Sequence, residues 1–261
     1  MRILCCFKLS PDYDKVLDRD WAAAQFPLSD ISYVPRGLGC YDEAALEAAL
    51  RLRDEALARG QAAELTAATV SCEAIDAFAR RLYALGVQRV VQIKTCAAAD
   101  FQPEKVSLAL AAVFSNEPFS AVLCGMQSAE GCGMTPYRLA QKLGMPCFSN
   151  VTALALCEGG LRVTCESSGG ARCASVRTPA VYAIGNSAQP YLRMATIRQR
   201  MAVANRLPEV RTISLPDTEE TISLLHVSRP VSGRRCVFVT GDSCTKQAET
   251  FLNMCPEVKH K

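Results

Sequence analysis

The chain has 261 residues, of which 49% are hydrophobic and 21% are charged, and its formal net charge is +3. This length allows one large domain or one domain with appendages, and the composition is that of a globular rather than a disordered protein. A charge this small, without a stripe of Lys and Arg interleaved with aromatic residues, argues against a nucleic-acid-binding protein.

The N-terminal residues do not have the pattern of a signal peptide. They are MRILCCFKLSPD, with a short apolar run before Lys8, whereas a signal peptide has a longer apolar region and a cleavage site of small residues. No apolar run reaches the ~18 residues of a membrane-spanning helix. We therefore expect a cytoplasmic protein without a membrane span.

The first 125 residues alternate between strand and helix patterns. The predicted elements are a strand at 2–7, a helix at 43–60, a strand at 64–70, a helix at 72–86, a strand at 87–94, a helix at 103–116 and a strand at 119–125. Ser71 is predicted to cap the second helix, because a Ser before a helical pattern commonly accepts a hydrogen bond from its first turn. Such alternation predicts an α/β fold with a doubly wound, mainly parallel sheet and helices on both faces.

The pattern changes after Pro146. Apolar and polar residues alternate over 147–185, with Gly-Gly turns at 159–160 and 169–170, which predicts an antiparallel meander at the sheet edge. These elements complete an α/β domain over 1–185.

Two further regions follow this domain. Residues 186–208 are polar and Arg-rich with weak helical character, and we call them the arm; with a linker they extend to residue 232. Residues 233–261 are predicted to be a strand–helix extension in which Asp242 or Ser243 caps the helix.

Metal and disulfide chemistry are not expected. The fourteen cysteines are scattered without a C-x-x-C pair, and the two histidines are His226 and His260. Zinc and iron–sulfur sites commonly use clustered thiolates with that spacing. Nothing marks the chain as secreted, so most cysteines are interpreted as small reduced hydrophobic residues.

A Gly-rich loop is the main candidate for a binding site. In an open parallel sheet, ligands bind at the carboxyl ends of strands near the point where strand order reverses. Three loops leave predicted strands in this way: one starts at Lys8 after 2–7, one enters a helix at Ser71 after 64–70, and one follows 119–125. The third, GMQSAEGCGM at 125–134, precedes the helical pattern PYRLAQKLG. Its glycines let backbone N–H groups approach a ligand, and the helix N-terminus favours an anion. The loop matches neither Walker A nor G-x-G-x-x-G, so a phosphate cradle and an ordinary tight turn both remain open.

A catalytic role is less well supported. Neither histidine lies in these loops, so a Ser–His or Cys–His pair is not indicated. Glu130 together with Asp12 or Asp42 would make a carboxylate pair, but no pattern brings them together. We interpret Glu130 as a solvated or ligand-orienting residue rather than a catalyst.

Several stretches together resemble one known family. They are RILCCFKLSPD at 2–12, GCYDEAALEAALRLRDE at 39–55, LTAATV at 65–70, ALGVQRVVQI at 84–93, LCGMQSAEG at 123–131, LAQKLGMP at 139–146 and RTPAVYAIGNSAQPYLRMATIRQRM at 177–201. Their order and spacing resemble the β-subunit of electron-transfer flavoproteins. The stretch RRCVFVTGDSCTKQAETFLNM at 234–254 is similar to Fix-type members of that family.

The resemblance implies both a fold and a function. The fold would be the adenine-nucleotide α-hydrolase-like type shared by the two subunits. The protein would be the non-catalytic half of a heterodimer whose α-subunit carries the FAD that moves electrons from dehydrogenases to an acceptor. The β-subunit itself would bind AMP, or a second FAD in electron-bifurcating members. The arm would dock on the dehydrogenase partners.

The family's nucleotide site maps onto thirteen positions of this sequence. They are Cys6, Gly39, Tyr41, Asp42, Val70, Gly125, Gln127, Ser128, Glu130, Gly131, Gly133, Met134 and Thr135. Several stretches depart from the family pattern: Gly39-Cys40-Tyr41 replaces Asn-Pro-Phe, Glu130 replaces an aspartate, and Cys132 with Gly133 replaces acidic and polar residues. In addition, AIGNSAQ at 183–189 replaces a basic residue and paired acidic residues. AMP, FAD or no nucleotide therefore remain open, as does bifurcation. The alternative function is a nucleotide-binding enzyme or sensor for ATP or AMP on the same fold.

Overall fold

The computed structural model describes residues 1–22, 31–95, 102–128, 131–177, 179–214 and 237–254. Among these residues there are eleven strands: β1 (Arg2–Cys6), β2 (Leu9–Pro11), β3 (Arg36–Leu38), β4 (Glu64–Val70), β5 (Arg89–Thr95), β6 (Ala121–Gly125), β7 (Cys147–Cys157), β8 (Gly160–Ser167), β9 (Gly170–Val176), β10 (Ala180–Ile184) and β11 (Glu209–Ile213). The described helices are α1 (Asp18–Ala22), α2 (Cys40–Ala58), α3 (Asp76–Ala84), α4 (Pro103–Phe114), α5 (Thr135–Leu143), α6 (Ile197–Ala202) and α7 (Cys244–Met254).

Nine strands form one sheet in the order β11-β5-β4-β1-β6-β10-β7-β8-β9. The first seven strands in this order run parallel, and only β8 and β9 join by antiparallel pairing. The chain moves outward from β1 to β4 and β5, and then returns to β6 on the other side of β1. The strand order thus reverses at β1, which confirms the predicted doubly wound, mainly parallel α/β fold.

The central strands are covered on both faces. Along β1, Ile3 packs into a core that contains residues of α2 and α3, whereas Leu4 packs into a core that contains residues of α4 and α5. Alternate residues of one strand point to opposite faces of a sheet. A strand buried on both faces is therefore a continuous apolar run, as the four buried residues ILCC of β1 are.

The antiparallel meander is narrower than the predicted span of 147–185. It comprises β7, β8 and β9, and turns with positive φ at Gly159 and Gly170 join them. The strand β10, which was predicted within the meander, is instead a central parallel strand between β6 and β7. The physical reason is that all five residues of AVYAI are buried, as in a strand covered on both faces.

The predicted cap at Ser71 is wrong. Helix α3 begins at Asp76, and its cap position is Ile75. The Ser71 hydroxyl instead donates to the carbonyl of Glu73 and accepts from its N–H, both at 3.2 Å. Such a local side-chain turn competes with helix formation and delays the start of the helix.

Short elements were missing from the sequence prediction. The strands β2 and β3 pair into a small antiparallel ribbon, and β11 pairs in parallel with β5 at the sheet edge. Strand β11 lies within the predicted linker, and its three central residues are exposed, so its sequence lacks the apolar run of a buried strand. The weak helical character predicted for the arm corresponds to α6.

A separate unit comprises residues 227–261, of which the described part contains α7. Ser243 caps this helix by accepting from the N–H of Lys246 at 3.3 Å, so Ser243 is the cap of the two predicted alternatives. Residues 237–240 are not in a strand, and the rest of the predicted strand lies outside the described residues. The same holds for His226 and His260.

No helix in the described part of the chain is long and apolar enough to cross a membrane. No group of three or more His, Cys, Asp or Glu side chains there is placed to hold a metal ion.

Candidate functional site

A cavity of about 250 Å³ opens at the carboxyl ends of β1, β4 and β6. This is the position at which the strand order reverses, where open α/β sheets bind their ligands. Its wall includes Lys8, Ser71 and Gln127 from the three loops that leave these strands. The three loops that the sequence identified therefore converge on one cavity.

Most of the predicted site residues lie in the wall of this cavity. They are Cys6, Asp42, Val70, Gly125, Gln127, Ser128, Gly131, Gly133 and Thr135. Gly39, Tyr41 and Met134 lie next to wall residues but not in the wall, and Glu130 lies outside the described residues. That these residues bind a nucleotide stays a prediction.

Gly125 is placed where a larger residue would be crowded by its neighbours. A Cβ atom there would lie 3.0 Å from backbone atoms of Tyr41 and Asp42 and 3.1 Å from the Asp42 carboxylate. The N-terminus of α2 therefore packs directly on the start of the Gly-rich loop. Later in the loop, Gly133 has φ +71°, a left-handed conformation that favours glycine.

Two helix N-termini border the cavity without side-chain caps. The cap position of α2 is Gly39 and that of α5 is Met134, and neither side chain accepts a hydrogen bond from the first turn. The first N–H groups of a helix lack intrahelical partners and carry the positive end of the helix dipole. This arrangement suits an anionic ligand group such as phosphate.

Asp42, in the first turn of α2, is the buried acidic residue of the cavity wall. It is 6% exposed. Burial raises the pKa of Asp42 to about 7, against the smaller lowering effect of a hydrogen bond from the backbone N–H of Lys8. This carboxyl is therefore close to half protonated at neutral pH.

The buried thiol of Cys124 in the wall is poorly reactive. A hydrogen bond with Cys6, together with burial, raises the pKa of Cys124 well above its usual range. A neutral thiol is neither a good nucleophile nor a good metal ligand. Cys6 and Cys124 thus provide an apolar wall, in agreement with the interpretation of the cysteines as small hydrophobic residues.

Several wall residues were not predicted. The charged ones are Lys8, Arg36 and Glu73, and the ion pair of Arg36 with Glu73 has an N–O distance of 2.7 Å. Arg36 lies on β3, a three-residue strand too short for a periodicity signal. The sequence could have indicated Lys8 as a site residue, because Lys8 directly follows the carboxyl end of a predicted strand.

The arm is the second candidate region, and it is anchored on α2 at its start. Arg193 hydrogen-bonds to the buried Glu47 through its guanidinium at 3.0 Å and its backbone N–H at 3.2 Å, and it reaches Asp54 at 2.6 Å. Burial alone raises the pKa of Glu47, but the hydrogen bonds from Arg193 outweigh it and hold that pKa below its usual value. Leu192 and Ala195, on either side, are buried in the core.

The end of the arm is anchored on α3. The Arg206 guanidinium lies 3.8 Å from the centre of the Tyr83 ring and donates to the carbonyl of Gln88 at 2.9 Å. The Tyr83 hydroxyl donates to the carbonyl of Leu207 at 3.1 Å. A capping box between Thr196 and the third helical residue fixes the start of α6.

Beside the first anchor and between the two, the arm exposes large apolar side chains. Tyr191 and Met194 are each 79% exposed, Ile197 is 77% exposed and Met201 is 73% exposed. Clustered exposed apolar side chains, in contrast to scattered ones, mark interaction surfaces. The geometry is that of a fixed loop that presents an apolar surface.

Comparison with known proteins gives consistent matches. The family model of the electron transfer flavoprotein domain matches residues 33–216. The chain is 32% identical over 254 residues to "Putative electron transfer flavoprotein subunit YgcR" of Escherichia coli (strain K12), covering 95% of each chain. It is 28% identical over 262 residues to "Electron transfer flavoprotein subunit beta" of Syntrophomonas wolfei, covering 97% of this chain and 96% of the other.

Proposed function

The chain belongs to the electron transfer flavoprotein domain family as a β-type subunit, and we propose that it pairs with an FAD-carrying α-subunit and itself binds AMP. In this role it moves electrons from dehydrogenases to an acceptor and has no active site of its own. The cytoplasmic location expected from the sequence stays a prediction.

The cavity at the strand ends is the observation that carries this proposal. Two uncapped helix N-termini and a Gly-rich loop border a space of about 250 Å³. Helix N-termini and exposed backbone N–H groups bind phosphate without a basic signature motif. Because ordinary members of the family that the sequence resembles bind AMP in this subunit, AMP is proposed before FAD.

The α-subunit has an available surface at β9. This strand is the last in the sheet order, its first six residues are exposed, and no strand in the described part of the chain covers its outer side. Proteins usually protect such edges with charges, proline or a covering element. Within Gly170–Val176 the only charged residue is Arg172. We propose that the α-subunit packs against this edge.

The arm is the proposed docking surface for the dehydrogenase partners. Its apolar side chains are exposed although its two ends are fixed by Arg193 and Arg206. A fixed conformation reduces the entropy lost on binding, which favours recognition of a partner with an apolar groove.

Co-expression with an α-subunit tests the proposal. The expected product is a yellow heterodimer, and extraction should give one flavin and one AMP per pair. Thr135→Val should lower the AMP content, because it removes a hydroxyl from the cavity wall, whereas Thr212→Val on β11 should not. A chain that never associates and that hydrolyses ATP with Mg²⁺ would instead support the alternative nucleotide-dependent enzyme.

The same extraction tests to which branch of the family the protein belongs. We propose the Fix-type branch on the resemblance of residues 234–254, whose helical part is α7. Two flavins per heterodimer and hydride transfer from NADH would establish bifurcation. One flavin with AMP would place the protein among the ordinary members.

A further inference from the structure

The carboxyl group of Asp42 lies between three structural elements at the wall of the cavity. Its first oxygen is 3.1 Å from the position that a Cβ of Gly125 would take, and its second is 3.4 Å from the corresponding position at Gly39. It also accepts a hydrogen bond from the backbone N–H of Lys8, after β1. The two glycines therefore leave room for a buried carboxyl group beside the Gly-rich loop.

The groups around this carboxyl do not neutralise it. The thiol of Cys5 on β1 and the thiol of Cys124 on β6 face it, and burial keeps Cys5 protonated. The charge of the Lys8 ammonium group lowers the pKa of Asp42, but burial has a larger influence and raises it. Arg36, from β3 in the same cavity wall, is paired with Glu73.

Resting on the proposed nucleotide role of the cavity, we propose that Asp42 takes up a proton when an anionic nucleotide binds, so that the affinity for the nucleotide falls as the pH rises. A phosphate placed in the cavity adds a negative charge near a carboxyl group that is already poorly solvated. A like charge disfavours the ionised form, so the carboxylate binds a proton from solvent and becomes neutral. An uncharged nucleoside does not add this charge, so its binding is not coupled to the protonation of Asp42 in this way.

If Asp42 instead bound the ligand in its ionised form, protons would move in the opposite direction on binding. If an ionised Asp42 accepted a hydrogen bond from a ribose hydroxyl, binding would favour its charged form and would release a proton. A purely structural Asp42 would exchange no protons with the ligand. Proton uptake therefore distinguishes the proposal from both alternatives.

Titration calorimetry of the full chain with AMP measures this proton. At pH 7.5, in two buffers that differ in ionisation heat, we expect uptake of up to about three quarters of a proton per AMP, from a group that titrates near 7. From pH 6.5 to 8 the wild-type affinity for AMP should fall up to about eight-fold relative to that of Asp42→Asn. Adenosine should bind with little proton uptake.

Glu43→Gln is the matched control, because it removes the same charge from the next residue of α2, outside the cavity wall. It should behave as the wild type does, whereas Asp42→Asn should lose the uptake. The ratio of the variants to the wild type cancels the titration of the AMP phosphate itself, which occurs near pH 6.

The outcomes separate the two proposals. AMP binding with zero uptake or with proton release overturns the role of Asp42 and leaves the nucleotide site intact. Uptake that persists in Asp42→Asn also overturns it. A wild-type chain that binds neither AMP nor FAD, alone or with its α-subunit, overturns both. If Asp42→Asn does not fold, the uptake measured on the wild type alone decides.

Discussion

The cavity and the arm both depend on α2, but they place polar and apolar groups in opposite ways. Near the start of the helix, Asp42 is a buried acid in a space closed by thiols and backbone. Further along, Glu47 holds Arg193 so that the neighbouring Met194 is exposed to solvent. The first region encloses a space for a small ligand, and the second displays a surface to a large one.

This difference shows which contacts fix the geometry of each region. The cavity depends on close backbone approach, since Gly125 lies against the first turn of α2. The arm depends on side chains from distant positions, since Arg193 and Glu47 are 146 residues apart in sequence. Backbone packing tolerates little change in volume, whereas an ion-pair anchor fails when one partner is lost.

The largest effect is expected from a side chain at Gly125. Gly125→Val should lower the free energy of unfolding by about 3 kcal/mol, because the new atoms would overlap the backbone of Tyr41 and Asp42. Gly37→Val on β3 is the control, since a Cβ there meets nothing within 4 Å. Urea denaturation measures both. Equal losses in the two variants would mean that the contact with α2 does not restrict this position.

A smaller effect is expected when the arm loses its anchor. Arg193→Ala should lower the free energy of unfolding by about 2 kcal/mol, because it leaves the buried Glu47 carboxylate with fewer partners. Hydrogen exchange should also rise over 194–205. In the control Arg51→Ala, a more exposed side chain that also contacts Glu47 is removed, and the expected loss is about 0.5 kcal/mol. Unchanged exchange in Arg193→Ala would separate the arm from this anchor.

The smallest effect on stability is expected on the surface of the arm itself. Met194→Ser combined with Met201→Ser should change the free energy of unfolding by less than about 0.5 kcal/mol, since both side chains are already exposed. The same double substitution should strongly slow electron transfer from the dehydrogenase to the heterodimer. A stability loss of several kcal/mol would instead indicate that Met194 and Met201 pack against the body of the protein.

The sequence predicted the cavity better than the arm because of how each is encoded. Strand ends and glycines are local signals, and the parallel topology brings them to one edge of the sheet, as with Gly125 and Val70. The Arg193 anchor is a contact between distant positions, and no local pattern marks it. Ser71 shows the remaining limit, since its turn with Glu73 and a helix cap have the same sequence signature.

The exposed edge at β9 has a consequence for how the cell must make this protein. A strand edge with free hydrogen-bonding groups pairs with any similar strand, including that of another copy of the same chain. Synthesis in excess of the partner would therefore favour self-association and loss to aggregation. Balanced production of the two subunits, such as translation from one message, would keep this edge occupied from the moment the chain folds.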